Sequence, residues 1–119
     1  MASLMRRGDI YLVDLEPVTG SEASKTRPAV IVSNDAANRG AERRGRGLVT
    51  VVPITSNVDR VFSFQALLTA VDCGLRTDSK AQAEQVRTVA IERLRGCVGA
   101  VPPASLRQID EALRLHLAL

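Results

Sequence analysis

Short apolar bursts follow one another along the first hundred residues, and the pattern changes to a helical spacing only near the end of the chain. Residues 9–15 carry Tyr11, Val13 and Leu15 on one face and Ile10 and Leu12 on the other. A strand apolar on both faces expects cover on both sides. Residues 29–33 (AVIVS) and 48–54 (LVTVVPI) read as β-branched core strands. Pro53 has no N–H to give a ladder, so it is expected at an edge or near the end of its strand. Shorter strands are predicted over 64–68, 80–84, 86–90 and 97–101, with Gly74, Gly96 and Gly99 as punctuation, which makes six or seven in all.

The connections differ in character. Residues 16–26 form a loop rich in Gly, Ser and charge, longer than most in compact domains and of the kind that often carries function. Between the second and third strands lies a polar, Arg-rich stretch with room for a short helix after Asn34 or Asp35. Pro102 and Pro103 open a segment whose Leu106, Ile109, Leu113 and Leu117 recur at helical spacing, so the chain closes with a helix entered through proline. Leu115 and Leu119 fall on the opposite face of that helix, where exposure would suit either a dimer contact or a frayed end. Strands followed by one terminal helix predict an α+β fold: a small, curled or barrel-like antiparallel sheet with the helix packed on it. At 119 residues one domain spanning 1–119 is expected.

Composition narrows the function classes. With 45% hydrophobic and 24% charged residues the chain is too apolar to be disordered. No apolar run approaches the ~18 residues of a membrane span, and the first residues lack the apolar segment of a signal peptide. A cytoplasmic protein without membrane contact is expected. Cys73 and Cys97 form no CxxC pair and read as two reduced, buried thiols. Tyr11, Phe62 and Phe64 are the only aromatics, which leaves few platforms for stacking bases. The formal net charge is +3, and fourteen of the sixteen cations are Arg, with Lys only at Lys25 and Lys80. The guanidinium fork suits phosphate oxygens. A phosphate-bearing ligand fits this bias, although a GC-rich genome raises Arg content as well.

Candidate chemistry is sparse. The single histidine, His116, lies beside the terminal helical stripe and reads as structural or rim. One histidine excludes a two-histidine ribonuclease mechanism, and the scattered carboxylates outline no metal cage. Pro28 restrains Arg27 to an extended backbone where the 16–26 loop enters a core strand, and an Arg fixed there can aim its fork at a phosphate. Residues 52–57 repeat the arrangement, a core strand that runs out into Thr55, Ser56 and Asn57. Taken singly, these are an ordinary surface Arg and ordinary turn residues.

Together they are more specific. Residues 6–17 (RRGDIYLVDLEP), followed by 20–22 (GSE) and 25–33 (KTRPAVIVS), resemble the opening of the MazF/PemK/Kid family of toxins. So do residues 51–57 (VVPITSN), and so do 83–90 (AEQVRTVA) followed by Arg93 and Leu94. The resemblance implies an SH3-like or plug-like β-barrel, a homodimer, and a toxin of a type II toxin–antitoxin system. It further implies metal- and cofactor-independent cleavage of single-stranded RNA through the ribose 2′-hydroxyl, leaving 2′,3′-cyclic phosphate and 5′-hydroxyl ends and arresting growth. An acidic antitoxin segment would silence it by covering the basic groove.

By the same resemblance the family's catalytic Arg falls on Arg27 and its catalytic Thr on Thr55, while the acid that some members place before the Gln-x-Arg-Thr block falls on Glu84. The Kid-like version has a basic residue two positions before that acid, where this chain has Gln82. Glu22, Glu84 and Ser56 are candidates for catalysis or substrate positioning, and Ser21, Lys25, Asn57, Gln82, Arg87, Arg43 and Arg44 for RNA binding. A guanidinium is a poor general base at neutral pH, so Arg27 reads better as the stabiliser of a pentacovalent phosphorane. The proton acceptor is then Glu22, Glu84, a water, or Arg27 in an unusually desolvated site. The four Arg between 39 and 46 read either as an RNA-guiding patch or as a solvated loop. Two rivals remain: a CcdB-like toxin of the same fold that binds gyrase, whose signature Trp is missing here, and an inactive RNA-binding relative.

Overall fold

The computed structural model describes residues 4–23 and 25–119. Seven strands form one antiparallel sheet: β1 (Asp9–Asp14), β2 (Thr26–Ile31), β3 (Leu48–Thr55), β4 (Gln65–Leu68), β5 (Ser79–Gln82), β6 (Arg87–Ala90) and β7 (Leu94–Ala100). Three helices accompany them: α1 (Asp35–Arg44), α2 (Ala70–Cys73) and α3 (Pro103–Leu117). The strands run in the order β4-β5-β3-β2-β1-β7, with β6 paired to β3 outside this path. The α+β class, the seven strands and the terminal helix agree with the pattern of the sequence.

The central strand is β3. Its first half pairs with β6, from Leu48↔Ala90 to Val51↔Arg87, and its end pairs with β5 at Ile54↔Ala81 and Thr55↔Lys80. Pro53 is therefore buried inside the most heavily paired strand, two residues from its end and far from any edge. Thr50 turns its N–H and C=O toward the end of β2, so by alternation the nitrogen of Pro53 faces the other side. There β6 has ended and β5 begins only at Ile54, and the missing N–H costs no ladder bond.

Alternation along β2 and β3 divides the core in two. Val13, Leu15, Ile31, Val49 and Val51 gather on one face with Ala41 of α1. Ile10, Val30, Val52, Ile54 and Leu68 gather on the other with Ile109 of α3, flanked by Leu106 and Leu113. Each face of the sheet is covered by one helix, as the doubly apolar strands require.

Helix α1 turns most of the Arg-rich stretch into helix rather than loop. Asn34 caps it, Oδ1 accepting from Ala37 N at 2.8 Å, and Gly45 ends it at φ 68°. Arg7 ties the start of the chain to α3 through Asp110 at 2.6 Å and to Val32 O through Nε at 2.8 Å.

Two expectations need correction. Cys73 is buried, and burial pushes its thiol above the ordinary range, but Cys97 is exposed because β7 is an edge strand. The strand expected over 80–84 stops at Gln82, where Ala83–Gln85 tightens into a 3₁₀ turn. Among the described residues no helix is long and apolar enough to cross a membrane.

Candidate active site

Strands β2 and β3 have two ends, and the loop-exit and strand-exit motifs lie at the same one. The register Ala29↔Pro53, continued by two residues, sets Arg27 opposite Thr55. On its other side Arg27 pairs with Val13 of β1. The half-buried Arg27 is held extended by Pro28 and its pairing with β1, and it lines a cavity of about 610 Å³ with Thr55 and Ser56. Thr55 Oγ1 accepts from Asn57 N at 3.3 Å, and Asn57 Oδ1 accepts from Asp59 N at 3.2 Å. This turn occupies a lone pair of Thr55 and leaves the hydroxyl proton to be given elsewhere. Lys80, buried beside Thr55, fixes the segment that follows by donating from Nζ to Arg60 O at 2.5 Å.

The second wall of the cavity was not foreseen. It is the tight segment between α2 and β5, which contributes Gly74, Leu75, Arg76 and Thr77, with Ser79 at the start of β5. Gly74 adopts φ 74° and sits 3.5 Å from Gly99 of β7, measured from the position a Cβ would take. A Cβ on Gly99 would run into the carbonyl oxygen of Cys73, so β7 and α2 approach this closely only through glycine. Asp78 Oδ1 accepts from Ala70 N at 2.8 Å, and Ser79 Oγ donates to Thr77 O at 3.0 Å. Leu12, Pro28, Ile54, Leu75 and Val98 supply an apolar floor. No Asp, Glu, His or Cys lines the cavity among the described residues.

Other predicted site residues take different places. Glu22 lies on the exposed 15–25 loop, where one carboxylate oxygen accepts from Thr19 N at 2.6 Å. Ser21 and Lys25 are exposed on the same loop, Ser21 O accepting from Gln85 Nε2 at 3.2 Å and Lys25 N donating to Glu16 Oε1 at 2.7 Å. Arg87 does not line the cavity; its Nη1 donates to Leu15 O at 3.2 Å. Arg93 donates to the carbonyls of Asp14 and Glu16, and Gln85 Oε1 accepts from Ala23 N at 3.0 Å. The Gln-x-Arg-Thr block thus braces the loop that leads into Arg27, a role for Gln85 that its motif alone did not reveal.

Glu84 is turned away from the cavity. It sits half-buried in the 3₁₀ turn and accepts from Gln65 Nε2 at 2.6 Å, leaving its Oε1 and the Oε1 of Gln82 buried without a partner. Arg43 and Arg44 lie on α1, which joins the opposite ends of β2 and β3. The Arg44 guanidinium folds back over Gly40, 3.1 Å from where a Cβ would stand. His116 is exposed in the last turn of α3 and does not line the cavity. The missed wall had one visible signal: residues 74–79 (GLRTDS) join glycine, hydroxyls and an Arg much as residues 20–27 do.

Fold and cavity together define a class of protein. Residues 6–117 match the PemK-like, MazF-like toxins of type II toxin–antitoxin systems. Over 116 residues, 98% of each chain, the protein is 59% identical to endoribonuclease MazF9 of Mycobacterium tuberculosis. It is 32% identical over 117 residues to endoribonuclease EndoA of Bacillus subtilis, covering 98% of this chain and 97% of that one. A solved endoribonuclease in complex with its cognate antitoxin, from a mycobacterial species, is similar at TM-score 0.73 and 25% identity, covering 99% of this chain and 97% of that chain. The chain belongs to this family: it is a MazF-like endoribonuclease toxin of a toxin–antitoxin system.

Proposed function

We propose that the protein cleaves single-stranded RNA at selected sequences by making the ribose 2′-hydroxyl attack the adjacent phosphate. The observation that carries this reading is the placement of Arg27 and Thr55 opposite one another at the mouth of one cavity. As the 2′-oxygen bonds to phosphorus, charge grows on the non-bridging oxygens, and the Arg27 fork is suited to stabilise it. The P–O5′ bond then breaks, leaving a 2′,3′-cyclic phosphate and a 5′-hydroxyl. Thr55 is suited to donate to a phosphate oxygen or to the departing 5′-oxygen. No carboxylate or imidazole lines the cavity among the described residues, which favours a nucleophile drawn from the substrate over a metal-bound water. Neither Glu22 nor Glu84 lines the cavity, so the 2′-hydroxyl proton goes to a water, or to Glu22 if the exposed loop that leads into Arg27 brings it to the bound strand.

The partners follow from the same site. The complex of a similar endoribonuclease with its antitoxin supports a cognate antitoxin here, with an acidic segment laid over the Arg-lined groove to exclude RNA. A homodimer is supported by the apolar side chains of Leu67 on β4, Leu115 on α3 and Leu119 just beyond it, all exposed. Free of its antitoxin, the protein would degrade cellular RNA and stop growth.

The test begins by mapping cuts on a long RNA. The cut sequence is then resynthesised with a single deoxyribose 5′ to the scissile bond, and both substrates are assayed in excess EDTA. The all-ribose RNA should be cut to a 2′,3′-cyclic phosphate end, and the single-deoxy RNA should resist. Equal cutting of both would overturn the 2′-hydroxyl mechanism.

A further inference from the structure

We infer that Arg76 is a second phosphate-binding residue, one that grips an RNA backbone phosphate next to the scissile one and so sets the path of the strand through the cavity. The inference rests on the reading of the cavity as an RNA site and adds a contact to it. Three observations support it.

Arg76 lines the same cavity as Arg27 and Thr55, but on the separate wall built by the α2–β5 segment. Its side chain is exposed, and among the described residues no carboxylate lies within ion-pair distance of it. Other arginines are engaged in the fold itself: Arg7 on Asp110, Arg87 on Leu15 O, Arg93 on Asp14 O. Finally, the backbone that carries Arg76 is held from both sides, by the seat of Gly74 on β7 and by the bonds of Asp78 and Ser79. A fixed backbone spares the cost of ordering the loop on binding and leaves only that of the side chain.

Two arginines from separate segments lining one cavity, beside apolar side chains that can receive a base or ribose, are suited to hold successive phosphates of one strand. Arg27 acts where charge develops during reaction. Arg76 meets a phosphate whose charge does not change, so it strengthens ground and transition state alike and should act on KM rather than on kcat.

Wild-type protein, Arg76→Gln and Arg76→Lys are compared on the mapped RNA for cleavage, and on its single-deoxy version for binding across a salt series. Arg76→Gln should raise KM roughly tenfold with kcat within about threefold, as for one lost charged hydrogen bond. Arg76→Lys should recover part of this. The slope of log K against log salt should shrink by about 0.7, the share of one phosphate on a single strand. In a scan of single methylphosphonates, one position near the cut should weaken the wild type and leave Arg76→Gln indifferent, because both changes remove the same contact.

If the wild type cuts RNA and Arg76→Gln keeps both KM and salt slope, the inference falls alone. If the wild type binds RNA without cutting it and the slope still shrinks, the cleavage reading falls and Arg76 stands. Neither binding nor cutting by the wild type would overturn both.

Discussion

The strand pair β2–β3 ends in arginine twice, and the two ends are built in opposite ways. At one end Arg27 faces Thr55 across a concave site, with Arg76 on the second wall. At the other end α1 crosses between the strands and carries Arg39, Arg43 and Arg44, with Arg46 just beyond it. The α1 end holds more positive charge, yet Arg43 and Arg44 are exposed and Arg44 lies along its own helix over Gly40. Charge on a convex helix is met by water and screened by salt, whereas charge set in a cavity with apolar walls is focused on whatever enters. The number of arginines therefore says less about a phosphate site than the shape of the surface that carries them.

The strongest way to break this contrast is at Arg27. Lys keeps the charge but loses the planar fork, and Arg27→Lys should lower kcat/KM by roughly tenfold to a thousandfold with little change in Tm. Near-normal turnover would remove Arg27 from the chemistry. Next comes the second wall. Gly99→Ala forces α2 and β7 apart, which should cost about 1–3 kcal/mol and lower Tm. In the wild type, iodoacetamide should modify the exposed Cys97 first, since burial shields the Cys73 sulfur and shifts its thiol toward the protonated form. Gly99→Ala should make Cys73 label faster. Unchanged Tm together with unchanged Cys73 labelling would mean that the glycine seat does not hold the wall.

Smaller effects are expected away from the cavity. The double variant Arg43→Gln/Arg44→Gln should leave KM within about twofold and stability within about 0.5 kcal/mol, as for surface sites. A tenfold rise in KM would extend the RNA path over α1 and erase the contrast between the two ends. The least effect belongs to His116→Gln. A side chain exposed in the last turn of α3 should alter neither turnover nor Tm, and loss of cleavage in a variant that still folds would place the site elsewhere.

The sequence announced the scaffold more fully than the site. Runs such as AVIVS and LVTVVPI, apolar on both faces, predicted the covered strands that β2 and β3 become, and paired prolines marked the entry to α3. Arg27 and Thr55 were singled out by the resemblance of their blocks to a family, since taken singly they read as ordinary residues at strand ends. The wall bearing Arg76 was not, because it depends on Gly74 of the α2 turn meeting Gly99 of β7, residues remote in sequence. Glu84 could not be placed for a related reason: its motif gave the residue type, but the 3₁₀ turn after β5 points the carboxylate toward Gln65. Cys97 was expected inside because an edge strand cannot be told from a covered one by its own few residues.

The bracing of the 15–25 loop has a consequence for how such a toxin can diversify. Gln85, Arg87 and Arg93 anchor the stretch from Asp14 to Ala23 through main-chain atoms: the carbonyls of Asp14, Leu15, Glu16 and Ser21 and the amide of Ala23. Every residue type except proline at an amide position offers those same atoms. Substitutions at Ser21 therefore leave these anchors in place, and the entrance to Arg27 keeps its course while that side chain drifts. Shape and chemical identity are inherited separately in this segment, so under the proposed function a lineage can change the bases it meets without rebuilding the path to Arg27.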